Sequence, residues 1–181
     1  MNFIKKNIAT LIIACAALLA FVFALFLPGA SYKQTQGGVE VSSTAALIGI
    51  MFGSSKIVST ASGVTMDALI KGGMSIFGLI SVILLALGIA AVIASIFVKE
   101  KKLDLIGSIL IVLAGIFVFL TLVAGTNVTA MTMAGETITD LSEPFAEVFG
   151  EMKLGAGAYV YGILAILGGG FGILNNFKKI I

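Results

Sequence analysis

Carboxylates are the most regularly spaced chemical groups in this sequence. There are five of them between residues 136 and 151, namely Glu136, Asp140, Glu143, Glu147 and Glu151. The intervals of four, three, four and four residues place them on one face of an α-helix. Ser142 is a suitable N-cap, so the helix is predicted to begin there and to carry Glu143, Glu147 and Glu151. The acidic face would be solvated or, if several copies assemble, would form a ring that attracts cations.

Other catalytic groups are scarce. The 181 residues include no histidine and a single cysteine, Cys15, and all eleven basic residues are lysine. The commonest general base and metal ligand is therefore missing, and no phosphate-binding loop with a following Lys-Ser or Lys-Thr occurs. The net charge of +2 is spread along the chain rather than gathered into a basic patch. We therefore expect a protein that is not an enzyme, holds no cofactor or metal and binds no nucleic acid.

The composition predicts a membrane protein. Hydrophobic residues make up 59% of the chain and charged residues 11%, whereas roughly 25% of residues are charged in soluble domains. Four apolar stretches have the length of about 20 residues that crosses a bilayer. They are residues 8–27, 74–98, 105–125 and 155–174. The predicted fold class is membrane α-helical, with a bundle of four transmembrane helices in one integral membrane domain, residues 1–181.

Clusters of lysine predict how these spans are oriented. Short lysine-rich segments beside a span stay on the cytoplasmic side. The clusters are Lys5 and Lys6, then Lys99, Lys101 and Lys102, and finally Lys178 and Lys179. All three are compatible with four spans of the cytoplasmic (plasma) membrane that leave both termini inside. Residues 28–73 and 126–154 are then extracellular.

The first outer segment is predicted to be rich in β-structure. Ser31–Gln36 and Val39–Ser43 flank a pair of glycines, which is typical of a hairpin, and Lys56–Thr60 is another β-branched run. Ala45–Phe52 is apolar but too short to span a bilayer. We interpret it as a buried strand, with a segment dipping into the membrane interface as the alternative. From Thr65 the pattern becomes helical, which predicts that the helix of the second span begins outside the membrane.

Small residues recur along the second and fourth spans. Side chains at four-residue spacing line one side of a helix, and small ones let a neighbouring helix approach closely. The positions are Ala86, Ala90 and Ala94 in the second span and Gly162, Gly168 and Gly172 in the fourth. They are candidate sites of helix packing or of assembly into an oligomer within the lipid bilayer.

The opening of the fourth span resembles a known family. Leu154–Gly162 reads LGAGAYVYG and is followed by Leu167–Gly170, LGGG. This is similar to the Gly-Ala-Ser-x-Tyr-x-Gly opening and glycine-rich core of the fourth span in claudin-type tetraspan proteins, whose order of parts the chain shares. The match covers about seventeen residues, and the family's outer tryptophans and paired cysteines are absent. The resemblance implies a left-handed four-helix bundle beneath a small extracellular sheet.

Three functional hypotheses follow. The first is a non-enzymatic membrane scaffold or adhesion-like protein that self-associates, or binds another membrane protein, through its extracellular cap and its small-residue helix faces. The second is an oligomeric cation channel with an acidic extracellular vestibule. The third is an accessory or immunity-type subunit of another membrane protein. The lack of arginine and of outer disulfides suggests a bacterial protein.

Overall fold

The computed structural model describes residues 2–36, 39–62, 64–72, 75–98, 100–121, 127–133, 136–144 and 153–178. Five α-helices lie in these residues: α1 (Asn2–Phe26), α2 (Leu47–Phe52), α3 (Ile76–Val98), α4 (Lys101–Phe119) and α5 (Ala156–Lys178). The strands of the same residues are β1 (Pro28–Gln36), β2 (Val39–Ala46), β3 (Ser54–Ala61), β4 (Val64–Gly72), β5 (Asn127–Met133), β6 (Glu136–Pro144) and β7 (Lys153–Leu154).

Four of the described helices are long and apolar enough to cross a membrane. They are α3, α4 and most of α1 and α5. The prediction of four apolar spans is confirmed, as a multi-pass membrane protein requires. α1 ends at Phe26, just before Pro28, whose ring cannot continue a helix.

α4 begins and ends earlier than the sequence predicted. It covers Lys101–Phe119, so it starts four residues before Leu105 and ends six residues before the predicted boundary. The apolar stretch marks where the side chains are hydrophobic, whereas the helix begins where the backbone becomes hydrogen-bonded. The Leu103 N–H already donates to the Glu100 carbonyl oxygen at 3.2 Å. As a result Asp104, expected in a loop, lies in the first turn of this candidate span.

The chain divides into two compact units. The first comprises residues 1–23, 80–118 and 160–181, which contain most of the four long helices. Three helix pairs in this unit meet at glycines: α3 and α4 at Gly88 and Gly107, α4 and α5 at Gly115 and Gly162, and α5 and α1 at Gly168 and Ala16. The predicted four-helix bundle is therefore present, and small residues bring its backbones together.

The second unit comprises residues 24–79 and 119–159 and contains an antiparallel sheet. Its seven strands follow the order β6-β5-β4-β3-β2-β1-β7. Gln36 pairs with Val39, so the hairpin predicted around the two glycines is confirmed. The β-branched run Lys56–Thr60 lies within β3, as predicted. The sheet is larger than the sequence indicated, because β4, β5 and β6 extend it.

The helix predicted from Thr65 is wrong. Val64–Gly72 forms β4, which pairs with β3 on one side and with β5 on the other. Two hydrogen-bonded neighbours outweigh a weak local preference. α3 begins only at Ile76, because Ser75 caps it: the Ser75 Oγ accepts a hydrogen bond from the Gly78 N–H at 3.2 Å. The Ser75 hydroxyl in turn donates to the Thr121 carbonyl oxygen at 2.7 Å.

The strand predicted over Ala45–Phe52 is also wrong beyond its first two residues. β2 ends at Ala46, and Leu47–Phe52 forms the one-and-a-half-turn helix α2. Gly53 ends this helix in the left-handed conformation, with φ of 69°. Glycine adopts that conformation without a steric penalty. The pattern of short apolar runs does not distinguish a strand from a short helix, and here the glycine after the run decides for the helix.

Candidate functional site

Three of the five predicted carboxylates, Glu136, Asp140 and Glu143, lie in a strand rather than a helix. Glu136–Pro144 is strand β6, and Glu143 pairs with Val128 of β5. Intervals of three and four define one face of a helix but have no such meaning in a strand, whose side chains alternate with a period of two. Glu147 and Glu151 lie outside the described residues. The predicted start of a helix at Ser142 is therefore wrong, and the rest of that predicted helix lies outside the described residues.

The three predicted glycines of α5 lie inside the first unit. The Gly162 carbonyl oxygen would be 2.9 Å from a Cβ atom added to Gly115 on α4. A Cβ at Gly168 would lie 2.8 Å from Ala16 Cβ on α1. A Cβ at Gly172 would overlap the Ser108 hydroxyl. All three glycines are buried, so they pack α5 against its neighbours in the same chain, and their surface is not available to a second copy.

The predicted alanines of α3 have the opposite placement. Ala86 and Ala90 are exposed and Ala94 is half-buried. The buried face of the same helix carries other residues, among them Leu85 and Val92. The alanine side of α3, where Ala86 and Ala90 lie beside the exposed Ile83 and Leu87, is therefore not covered by the described residues of the chain.

Two of the closest helix contacts were not predicted. A Cβ at Gly107 would lie 2.8 Å from the Gly88 carbonyl oxygen, and a Cβ at Gly169 would lie 2.5 Å from the Ser108 carbonyl oxygen. A usable signal was present in α4, where Gly107 and Ala114 are seven residues apart, as are Ser108 and Gly115. Seven residues are two helical turns, so such pairs of small residues recur on the same side of a helix.

A hydroxyl pair joins three helices of the first unit. The Ser81 hydroxyl on α3 donates to the Ala114 carbonyl oxygen of α4 at 2.7 Å and lies 3.0 Å from the Tyr161 hydroxyl of α5. The Tyr161 hydroxyl also lies 3.3 Å from the Ser81 carbonyl oxygen, to which it can donate. Ser81 and Tyr161 are both fully buried. Each hydroxyl thus has a partner inside an apolar bundle, where an unpaired one would be costly.

A carboxyl group is buried at the start of α4. Asp104 is 5% exposed and Asn176 of α5 is 4% exposed. The Asn176 side-chain amide donates to Asp104 Oδ2 at 2.9 Å and to the Gly172 carbonyl oxygen at 3.0 Å. Asp104 Oδ1 has no hydrogen-bond partner among the described residues. This pair was not predicted because both residues lie just beyond the predicted limits of spans three and four.

The lysines used to predict orientation fall at helix ends where the structure describes them. Lys5 and Lys6 lie in α1, Lys101 and Lys102 are exposed in the first turn of α4, and Lys178 is the last residue of α5. Lys99 and Lys179 lie outside the described residues.

Comparison with known proteins identifies no relative. No protein-family model matches the chain, and no curated protein matches it. Within the described residues, no three His, Cys, Asp or Glu side chains come together as metal ligands.

Proposed function

We propose that this chain is a non-enzymatic scaffold of the cytoplasmic membrane, which it crosses four times with both termini inside. It associates with a second copy of itself or with another membrane protein, and it needs no cofactor. The observation that carries the proposal is the contrast between two sets of small residues. The glycines of α5 are buried by packing within the chain, whereas Ala86 and Ala90 of α3 remain exposed.

The packing of the first unit supports a scaffold rather than a carrier working as a single copy. At Gly107 and Gly169 the neighbouring backbone would lie within 3 Å of an added Cβ atom. Helices that approach this closely leave no room between them for a solute at those points. The surfaces left for a partner are then the exposed alanines of α3 and the sheet.

The length of the segments between the helices supports a role for the sheet. Helices in a bundle need connections of only about 2 to 8 residues. The segments from Phe26 to Ile76 and from Phe119 to Ala156 are several times longer, and their described residues are mostly strands of one sheet. The lysine clusters support an outer location for these segments, because short lysine-rich segments stay on the cytoplasmic side. An outer sheet of this size is the natural surface for adhesion or for binding a partner.

Exposed alanines on α3 give the first test. In lipid nanodiscs the wild-type protein is expected to associate, and Ala90→Leu is expected to weaken that association about tenfold or more. A leucine at position 90 would hold apart two helices that meet through small side chains. The mass of the protein in nanodiscs or detergent, measured by light scattering with the contribution of lipid or detergent subtracted, reports the change. Gly168→Leu is unsuitable here because Gly168 is buried within the chain.

The matched control for this test is Ile163→Phe. Ile163 is an exposed residue of α5, so the change adds bulk to the exposed surface of a different helix and should leave the mass unchanged. A wild-type protein that is monomeric over the accessible concentration range would contradict self-association and leave the binding of another membrane protein. An Ala90→Leu variant with the wild-type mass would contradict the role of the α3 face.

A further inference from the structure

Helix α2 lies at the end of the sheet where the membrane helices join it. β1 starts directly after α1, and β4 ends shortly before α3. Because neighbouring strands are antiparallel, the end of β2 and the start of β3 lie at that same end: Ala46 pairs with Pro28, and Ser54 pairs with Lys71. α2 connects these two strands. The end of β1 and the start of β2 are at the opposite end of the sheet, where Gln36 pairs with Val39, as are the end of β3 and the start of β4, where Ala61 pairs with Val64.

Two close contacts show where α2 packs within the second unit. A Cβ added to Gly29, at the start of β1, would overlap Leu47. A Cβ added to Gly78 would lie 2.7 Å from Met51 Cγ. Gly78 is in the first turn of α3, inside the candidate membrane span Ile76–Val98. α2 therefore packs at the level where a membrane span begins, and Leu47 and Met51 are its fully buried anchors.

The chemistry of α2 suits lipid better than water. Its sequence, LIGIMF, contains no charged or hydrogen-bonding side chain. Most of its residues are buried, but the Phe52 ring is 47% exposed. At the same end of the unit, Phe26 of α1 is 79% exposed and Ile76 of α3 is 66% exposed. These two residues end one apolar span and begin another, and Phe52 is a third exposed apolar side chain in this unit.

We propose that α2 is an interfacial membrane anchor and that the Phe52 side chain inserts into the lipid leaflet adjacent to the sheet. Exposed apolar side chains at the edge of a membrane span are favoured at the boundary between headgroups and acyl chains, because burial there removes apolar surface from water. A two-residue turn would have sufficed to connect β2 to β3. The longer apolar connection holds the adjacent end of the sheet against the membrane. This role is independent of self-association through α3.

The absence of tryptophan from the chain makes the test direct. The full-length Phe52→Trp variant, reconstituted in phosphatidylcholine vesicles, has one tryptophan whose emission reports its own surroundings. Phosphatidylcholine brominated at acyl positions 6 and 7 is expected to quench at least half of this emission, and lipid brominated deeper, at positions 11 and 12, is expected to quench less. The emission maximum should be shifted to the blue relative to a tryptophan in water.

Two further single-tryptophan variants set the scale. Phe97→Trp replaces an exposed residue within the α3 span and should be quenched by brominated lipid. Thr65→Trp replaces an exposed residue of β4 beside the β3–β4 turn and should not be quenched. If Phe52→Trp is quenched no more than Thr65→Trp, the proposal is wrong.

A second label keeps the test decisive if the tryptophan disturbs α2. Phe52→Cys in a Cys15→Ser background carries a single site for a nitroxide. If the side chain at position 52 inserts into the leaflet, the nitroxide should be more accessible to oxygen, which concentrates in lipid, than to a water-soluble nickel chelate. The reverse order of accessibility would overturn the proposal.

Discussion

Replacing Gly169 with alanine is expected to lower the free energy of unfolding by about 1 to 3 kcal/mol, the usual cost of overpacking a well-packed site. The added Cβ would lie 2.5 Å from the Ser108 carbonyl oxygen and 2.9 Å from the Val112 backbone nitrogen. Both neighbours are backbone atoms of α4, so no side-chain rotation relieves the contact, and α4 and α5 must separate. Unfolding of the protein in mixed micelles by titration with sodium dodecyl sulfate measures the loss.

The adjacent residue supplies the control. A Cβ added to Gly170 would meet nothing within 4 Å, so Gly170→Ala should leave stability unchanged or raise it by up to about 1 kcal/mol, since alanine is the better helix former. The two variants make the same chemical change at neighbouring positions of one helix. Equal effects at both positions would contradict the close contact between α4 and α5.

Replacing Asn176 with leucine is expected to cost about 2 kcal/mol, the penalty for leaving a buried polar group without its partner. Asn176 is the hydrogen-bond donor to Asp104 Oδ2 in the structure, and Oδ1 has no partner among the described residues. The variant would therefore leave the whole carboxyl group buried without a donor from the described chain. The same detergent titration measures the change.

The double variant separates the hydrogen bond from the packing. Replacing Asp104 as well, by leucine, removes the buried carboxyl group, and an apolar pair of similar volume can be nearly neutral. Asp104→Leu combined with Asn176→Leu is expected to recover most of the stability that Asn176→Leu loses. If the effects of the two single substitutions instead add, the two side chains do not form the buried pair described above.

The membrane helices could be predicted from the sequence because the length of an uncharged apolar stretch decides them. An uncharged apolar stretch of about 20 residues has few alternatives to spanning a bilayer, and all four such stretches are helices. Their limits could not be predicted as well, because polar residues can extend a helix beyond the apolar stretch. Asp104 and Asn176 are both in such extensions.

The segments between the membrane helices were less predictable because long-range pairing decides their structure. The helical pattern from Thr65 gave way to β4, which has a strand on each side. The intervals between Glu136, Asp140 and Glu143 also indicated a helix, yet these residues lie in β6, paired with β5. β5 follows the α3–α4 hairpin in the chain but pairs with β4, which precedes it. A local pattern in the sequence contains no information about that partner.

The small residues show a different limit. Four-residue spacing correctly indicated close packing at Gly168 and Gly172, but it could not tell whether the neighbour would be the same chain or another. The burial of these glycines and the exposure of Ala86 and Ala90 make that distinction. The contact of Gly169 with Ser108 was predictable only with knowledge of which helices are neighbours.

The proposed orientation is tested most directly by finding on which side of the membrane the sheet lies. Cys15 is the only cysteine, so a Cys15→Ser background accepts single cysteines at Thr65 of β4 and at Lys102 of α4, both exposed. A maleimide that does not cross membranes is added to intact cells and, separately, to lysed cells. If the sheet is outside and the lysine clusters are inside, Thr65→Cys is labelled in intact cells and Lys102→Cys only after lysis. Labelling of Lys102→Cys in intact cells, with Thr65→Cys protected until lysis, would contradict the proposed orientation and an outer sheet that binds partners.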